Sequence, residues 1–97
     1  MESYDCYTMR HSLYTKSEAL RAELNAAEEA DNKAWAWYDS LTEEEYWSCQ
    51  TEADRRVEET SATVRDLRRS LEEVERAIHL LERLEVSLTY LEAEDII

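Results

Sequence analysis

Ninety-seven residues with no glycine, no proline and no phenylalanine carry 24 acidic against 11 basic side chains, a net charge of −13. A chain of average composition holds about a dozen glycines and prolines together, so Gly-rich phosphate loops, type I′ and II′ hairpin turns, collagen repeats and Pro-rich linkers are excluded. The acidity argues against direct contact with nucleic acid or with an anionic membrane surface, since both need clustered Lys and Arg.

The length allows one domain, residues 1–97. A hydrophobic content of 43% with three Trp and six Tyr is too high for a disordered acidic tail. The start Met1-Glu2-Ser3-Tyr4-Asp5-Cys6 has neither a basic n-region nor an apolar h-region. The longest apolar run, Ala34 to Tyr38, falls far short of the ~20 residues that span a bilayer. A cytoplasmic protein with Cys6 and Cys49 as reduced thiols is the expectation.

In chain order, Leu13, Leu20, Leu24, Ala27, Ala34, Tyr38 and Leu41 recur in steps of three and four, with Asp31 as the one polar entry between Ala27 and Ala34. The spacing predicts a helix over about 13–39, with Thr15-Lys16-Ser17-Glu18 matching a capping box at its start. Tyr4, Tyr7, His11 and Tyr14 continue the same period back towards Ser3. A turn follows at 39–42. Thr42-Glu43-Glu44-Glu45 is a second capping box, Leu41 and Tyr46 are placed as its hydrophobic staple, and three glutamates in a first turn suit the helix dipole.

The second helix is predicted over about 43–94 with a heptad pattern. Val57, Val64, Leu71 and Ile78 form one row of its seam; Tyr46, Ala53, Thr60, Leu67, Val74 and Leu81 form the other. Beyond Leu81 the register slips to Leu84, Leu88 and Leu91. Thr60-Ser61-Ala62-Thr63 has poor helix propensity. The expected fold is all-α: a helical hairpin with a long coiled-coil-like second helix, or a three-helix bundle if that helix breaks near residue 61. A first helix starting near 13 covers only about half of the second, so residues 71–91 are expected to pair with a third helix, a second copy or another protein.

Chemistry reads poorly. His11 and His79 lie on different helices, no turn supplies backbone donors beside a nucleophile, and Glu75 with His79 lacks the second Glu-x-x-His of a di-iron bundle. Cys6, Cys49, His11 and His79 have no zinc-ligand spacing. The expectation is no enzyme, with no catalytic residue, no cofactor and no metal.

The turn region is different. Trp35, Trp37 and Tyr38 end the first helix, and Tyr46 and Trp47 begin the second. Large rings there suit either a hairpin-end core or a binding hot spot, where Trp and Tyr are enriched. Residues 34–54 contain Asp39, Glu43, Glu44, Glu45, Glu52 and Asp54 and neither Lys nor Arg, so this stretch alone holds six negative charges.

In size, acidity and helical make-up, together with the stretch Glu43-Glu44-Glu45 and the following Glu52 and Asp54, the chain resembles small phage-encoded inhibitors of host defence of the anti-CRISPR and DNA-mimicking anti-restriction kinds. The resemblance implies an inhibitor, acting in the host cytoplasm, that occupies a basic nucleic-acid-binding surface on a partner protein. The implied charge array is Asp39, Glu43, Glu44, Glu45, Glu52 and Asp54, with Trp35, Trp37 and Trp47 as anchors. The alternative is a structural module that homodimerises through the seam Val57, Val64, Leu67, Leu71, Val74, Ile78 and Leu81.

Overall fold

The computed structural model describes the backbone of residues 3–96 and the side chains of residues 8–84. It consists of α1 (Ser3–Ser40), α2 (Glu43–Ser48) and α3 (Gln50–Ile96), with no strand among the described residues. α1 runs antiparallel to α3, and α2 forms the corner between them. The rod measures 78 × 16 × 16 Å. Its radius of gyration of 21.9 Å compares with about 12–13 Å for a compact domain of this length.

Two boundaries depart from the sequence expectation. α1 begins at Ser3, about ten residues before the predicted start. Thr15 is not a cap: its hydroxyl donates to the His11 carbonyl one turn back, 3.1 Å away, within a continuous helix. Next to it, the Tyr14 hydroxyl donates to the Glu82 carboxylate of α3. Of the stretch 71–91 that the sequence left open, Val74 and Ile78 are buried within the hairpin. The second helix is also split, with Cys49 between α2 and α3. The run Thr60–Thr63 stays helical, so no third helix of a bundle arises there.

The seam closes within one chain. Ala53, Val57, Val64, Val74 and Ile78 are buried, while Leu67, Leu71 and Leu81 are half-buried. On α1 the inward positions are Leu13, Ser17, Leu20, Leu24, Ala27, Asp31, Ala34 and Tyr38, all buried or half-buried. Steps of four and three alternate along both helices, the pattern of a two-stranded coiled coil. Each buried Val or Ile contributes roughly 1.5–3 kcal/mol relative to exposure. Leu84, expected to take over the seam beyond Leu81, is exposed instead; Leu88 and Leu91 lie outside the described side chains, as does Cys6.

Register is visible in the flank contacts. Tyr14 meets Glu82, Arg21 meets Glu75 at 2.9 Å, Glu28 meets Arg68 at 3.2 Å, and Trp35 meets Ser61 at 3.1 Å. Each pair stands seven residues further along α1 and seven residues earlier along α3. One heptad of one helix is therefore read against one heptad of the other. The two ion pairs are exposed and contribute little each; their repeat spacing is what makes them consistent with a single alignment.

The two local anomalies of the sequence meet across this seam. Asp31 accepts from the Thr60 hydroxyl at 2.7 Å and from the Ser61 hydroxyl at 2.9 Å, and Ser61 in turn accepts from the Trp35 indole N–H. Thr60 and Ser61 are poor helix formers because their hydroxyls compete for backbone. Here they are the donors that a carboxylate in an apolar seam needs. A single polar layer of this kind costs stability and fixes alignment.

Removing the donors alone therefore differs from removing the whole layer. Thr60→Val with Ser61→Ala is expected to destabilise by about 1–3 kcal/mol, because Asp31 keeps its charge and loses its partners. Adding Asp31→Leu to the pair is expected to recover most of that loss. Urea midpoints of the two variants check this; equal midpoints would show that the layer is not a unit.

Candidate interface at the helical corner

The corner is built by side chains, not by glycine. α1 ends as the Ser40 hydroxyl donates to the Trp37 carbonyl at 2.6 Å and the Leu41 N–H donates to the Tyr38 carbonyl at 3.2 Å. Thr42 then starts α2 with a complete capping box. Its hydroxyl accepts from the Glu45 N–H at 3.2 Å, and its own N–H donates to the Glu45 carboxylate at 3.0 Å. The backbone N–H of Thr42, followed by its hydroxyl, holds the Glu45 carboxyl below the ordinary glutamate value of 4.5.

α2 stops after six residues because one carbonyl is oversubscribed. The Glu45 oxygen accepts from the Ser48 hydroxyl at 2.8 Å, the Cys49 thiol at 3.1 Å and the Cys49 N–H at 3.2 Å. Local hydroxyl and thiol donors of this kind bend helices. Cys49 leaves helical geometry at φ −130°, ψ 26°, and its carbonyl accepts from the Ala53 N–H at 2.8 Å as α3 begins. The Cys49 thiol is free and half-buried.

Four of the corner's rings form a continuous ladder. Trp35 meets Tyr38 with centroids 5.4 Å apart, Tyr38 meets Tyr46 at 5.6 Å, and Tyr46 meets Trp47 at 5.4 Å, all edge-to-face. The two tyrosine hydroxyls converge on Asp54, each 3.2 Å from the same carboxylate oxygen. The Tyr46 hydroxyl, burial and the Asp54 carboxylate, in that order, push the Tyr38 phenol above its usual range. Tyr38 and Tyr46 thus bridge α1, α2 and α3. The outer rings are open: Trp35 is 42% exposed and Trp47 63% exposed.

Trp37 stands apart from the ladder. The Arg56 guanidinium carbon sits 4.6 Å from its ring centroid, a cation–π contact across the other flank of the hairpin. The sequence grouped three tryptophans; the structure brings two of them to the ladder and pairs the third internally.

The six acids divide as well. Asp54 holds the two tyrosines, and Glu45 closes the capping box. Glu43, Glu44 and Glu52 occupy first turns of helices, where the dipole favours acid. Asp39 lies in the last turn of α1, which carries no basic residue and where the dipole disfavours acid. Asp39, Glu43, Glu44 and Glu52 are exposed. Among the described residues none of these four makes an ion pair within 4.0 Å.

The spacing groups Tyr38 and Tyr46 with the tryptophans and Asp54 with the acids, and in the structure these three organise the corner. Their periodic positions also place Tyr38 and Tyr46 in the seam, whereas the place of Arg56 over Trp37 has no counterpart in the spacing. The available signal was the eight-residue spacing of Tyr46 and Asp54, just over two helical turns.

Elsewhere the grooves are open. One of about 510 Å³ runs along the flank lined by Tyr14, Ser17, Arg21, Glu75, Ile78 and His79. A second, of about 330 Å³, lies beside Asp31 and Arg68. Among the described residues no three His, Cys, Asp or Glu side chains are placed to hold a metal ion. No helix among them is long and apolar enough to cross a membrane.

Two titrations probe the corner. The low Glu45 value makes its contribution present above pH 4.5 and lost as pH falls below it. The raised Tyr38 value acts at the other end: its contribution is present below pH 10.0 and lost as pH rises above it. Glu45→Ala should flatten the acid limb of the stability profile, and Tyr38→Phe the alkaline limb. Thermal midpoints of the three proteins across pH check both, and unchanged limbs would refute the assignment.

Comparison with protein-family models, with curated proteins and with solved structures gives no match to this chain.

Proposed function

We propose that this chain is a small acidic protein-binding inhibitor whose corner occupies a basic, nucleic-acid-binding surface of a partner protein. The observation that carries the reading is the coincidence of Trp35 and Trp47, both exposed, with unpaired Asp39, Glu43 and Glu44 at one end of a rigid rod. Aromatic anchors beside uncompensated acid fit a basic groove, and the charge speeds encounter with it.

Charge density argues for engagement through the corner and not along the rod. Thirteen net negative charges over 78 Å amount to about one per 6 Å, against one per about 1.7 Å of duplex DNA. The rod's flanks also carry their own arginines, as Arg21 and Arg68 show. The segment 34–54, with six acids and no base, is the longest stretch of the chain without Lys or Arg. Carboxylates there stand in for a few phosphates at the mouth of a nucleic-acid site. The class-level resemblance to phage-encoded inhibitors of host defence supports the same choice, with neither nucleic acid nor membrane as a direct partner.

The alternative, a homodimer through the Val57–Leu81 seam, meets a physical obstacle. Val57, Val64, Val74 and Ile78 already lie against α1, so such a dimer has to displace α1 from the same surface. That cost favours the first reading.

The test uses residues that the fold does not need. Reversing Asp39, Glu43 and Glu44 to Lys leaves the capping box and the tyrosine cluster intact. A partner captured on the immobilised wild-type chain is released by moderate salt and by competing duplex DNA. The triple variant is expected to bind it at least about tenfold more weakly. Undiminished binding by the variant, or no competition from DNA, overturns the reading.

A further inference from the structure

One of the three tryptophans already holds a cation: the Arg56 guanidinium lies over the Trp37 ring, 4.6 Å from its centroid. Trp35 has Asp39 four residues on, and Trp47 has Glu43 four and Glu44 three residues before it. Positions three and four apart share a helix face. Each exposed indole therefore shares its helix face with at least one carboxylate that makes no ion pair among the described residues.

This pairing discriminates between cations. A guanidinium is planar and weakly hydrated, so it stacks on an indole while its N–H groups reach a carboxylate; an ammonium is a compact, strongly hydrated point charge. Trp35 is also braced for the task. Its N–H is tied to Ser61 and its ring meets Tyr38 edge-on, so its position is set before any partner arrives. The ladder's three steps place the Trp35 and Trp47 rings no more than about 16 Å apart.

We infer that Trp35 with Asp39, and Trp47 with Glu43 and Glu44, are two arginine clamps, each receiving a guanidinium of the partner as Trp37 receives that of Arg56. The inference rests on the corner being the binding surface and adds the identity of the cation it selects. The occupant is an arginine-bearing basic surface, and lysines of equal charge are poor substitutes.

The full chain is titrated with octa-arginine and with octalysine at matched salt, following tryptophan emission. Octa-arginine is expected to bind about tenfold more tightly and to change the emission; octalysine is expected to bind weakly with little change. Trp47→Leu removes an exposed ring and should cut the arginine preference to about threefold while leaving the octalysine affinity unchanged. Circular dichroism verifies that the variant stays helical. Equal affinities for the two peptides overturn the clamps and leave the charge-based corner standing. Binding of neither peptide overturns the corner as a basic-surface site and the clamps with it. A preference that survives unchanged in Trp47→Leu overturns the placement at Trp47.

Discussion

One carboxylate in an apolar seam determines how this hairpin is aligned. Half-buried Asp31 accepts from the hydroxyls of Thr60 and Ser61, and a shift of one heptad would carry both donors away from it. The alignment then decides everything at the corner. Ser61 holds the Trp35 indole, Asp54 comes within reach of Tyr38, and Arg56 comes to lie over Trp37. The apolar layers alone repeat every heptad and discriminate weakly between neighbouring registers. The polar layer supplies that discrimination at some cost in stability.

The corner shows how acid can be structural and functional within a few residues. Glu45 and Asp54 are bound into hydrogen-bond networks that hold the turn. Asp39, Glu43 and Glu44 contact nothing that the fold requires. A uniform acidic patch on the sequence thus separates into a scaffold layer and a presented layer. Asp39 is the most telling of the presented group, since the end of a helix is where local electrostatics would remove an acid.

Much of the fold was legible from periodicity and capping. Alternating steps of three and four gave both seams, and Thr42 with Glu45 gave the corner cap, because both signals depend on residues close in sequence. The start of α1 was misplaced because Thr15-Lys16-Ser17-Glu18 satisfies the cap pattern while tertiary contact with α3 carries the helix through it. The kink at Cys49 was missed because it arises from competition for one carbonyl oxygen, which no pattern of hydrophobicity encodes. The candidate interface was half legible. Residue types and spacing marked the segment, but which tryptophan is filled and which acids are free depends on partners across the hairpin, such as Arg56 and the two tyrosines. Asp31 and Thr60–Thr63 each looked like a local flaw, and only the register shows them to be one feature.

The corner turns the chain without any described residue at positive φ. Its reversal depends on Thr42, Ser40 and the Glu45 carbonyl, and no position in it is restricted to glycine. The outward positions 39, 43, 44 and 47 can therefore accept almost any side chain without backbone strain. Recognition and architecture are thereby decoupled. The same rod can be re-addressed to a different target by exchanging a handful of exposed side chains, with no change to the backbone of the turn.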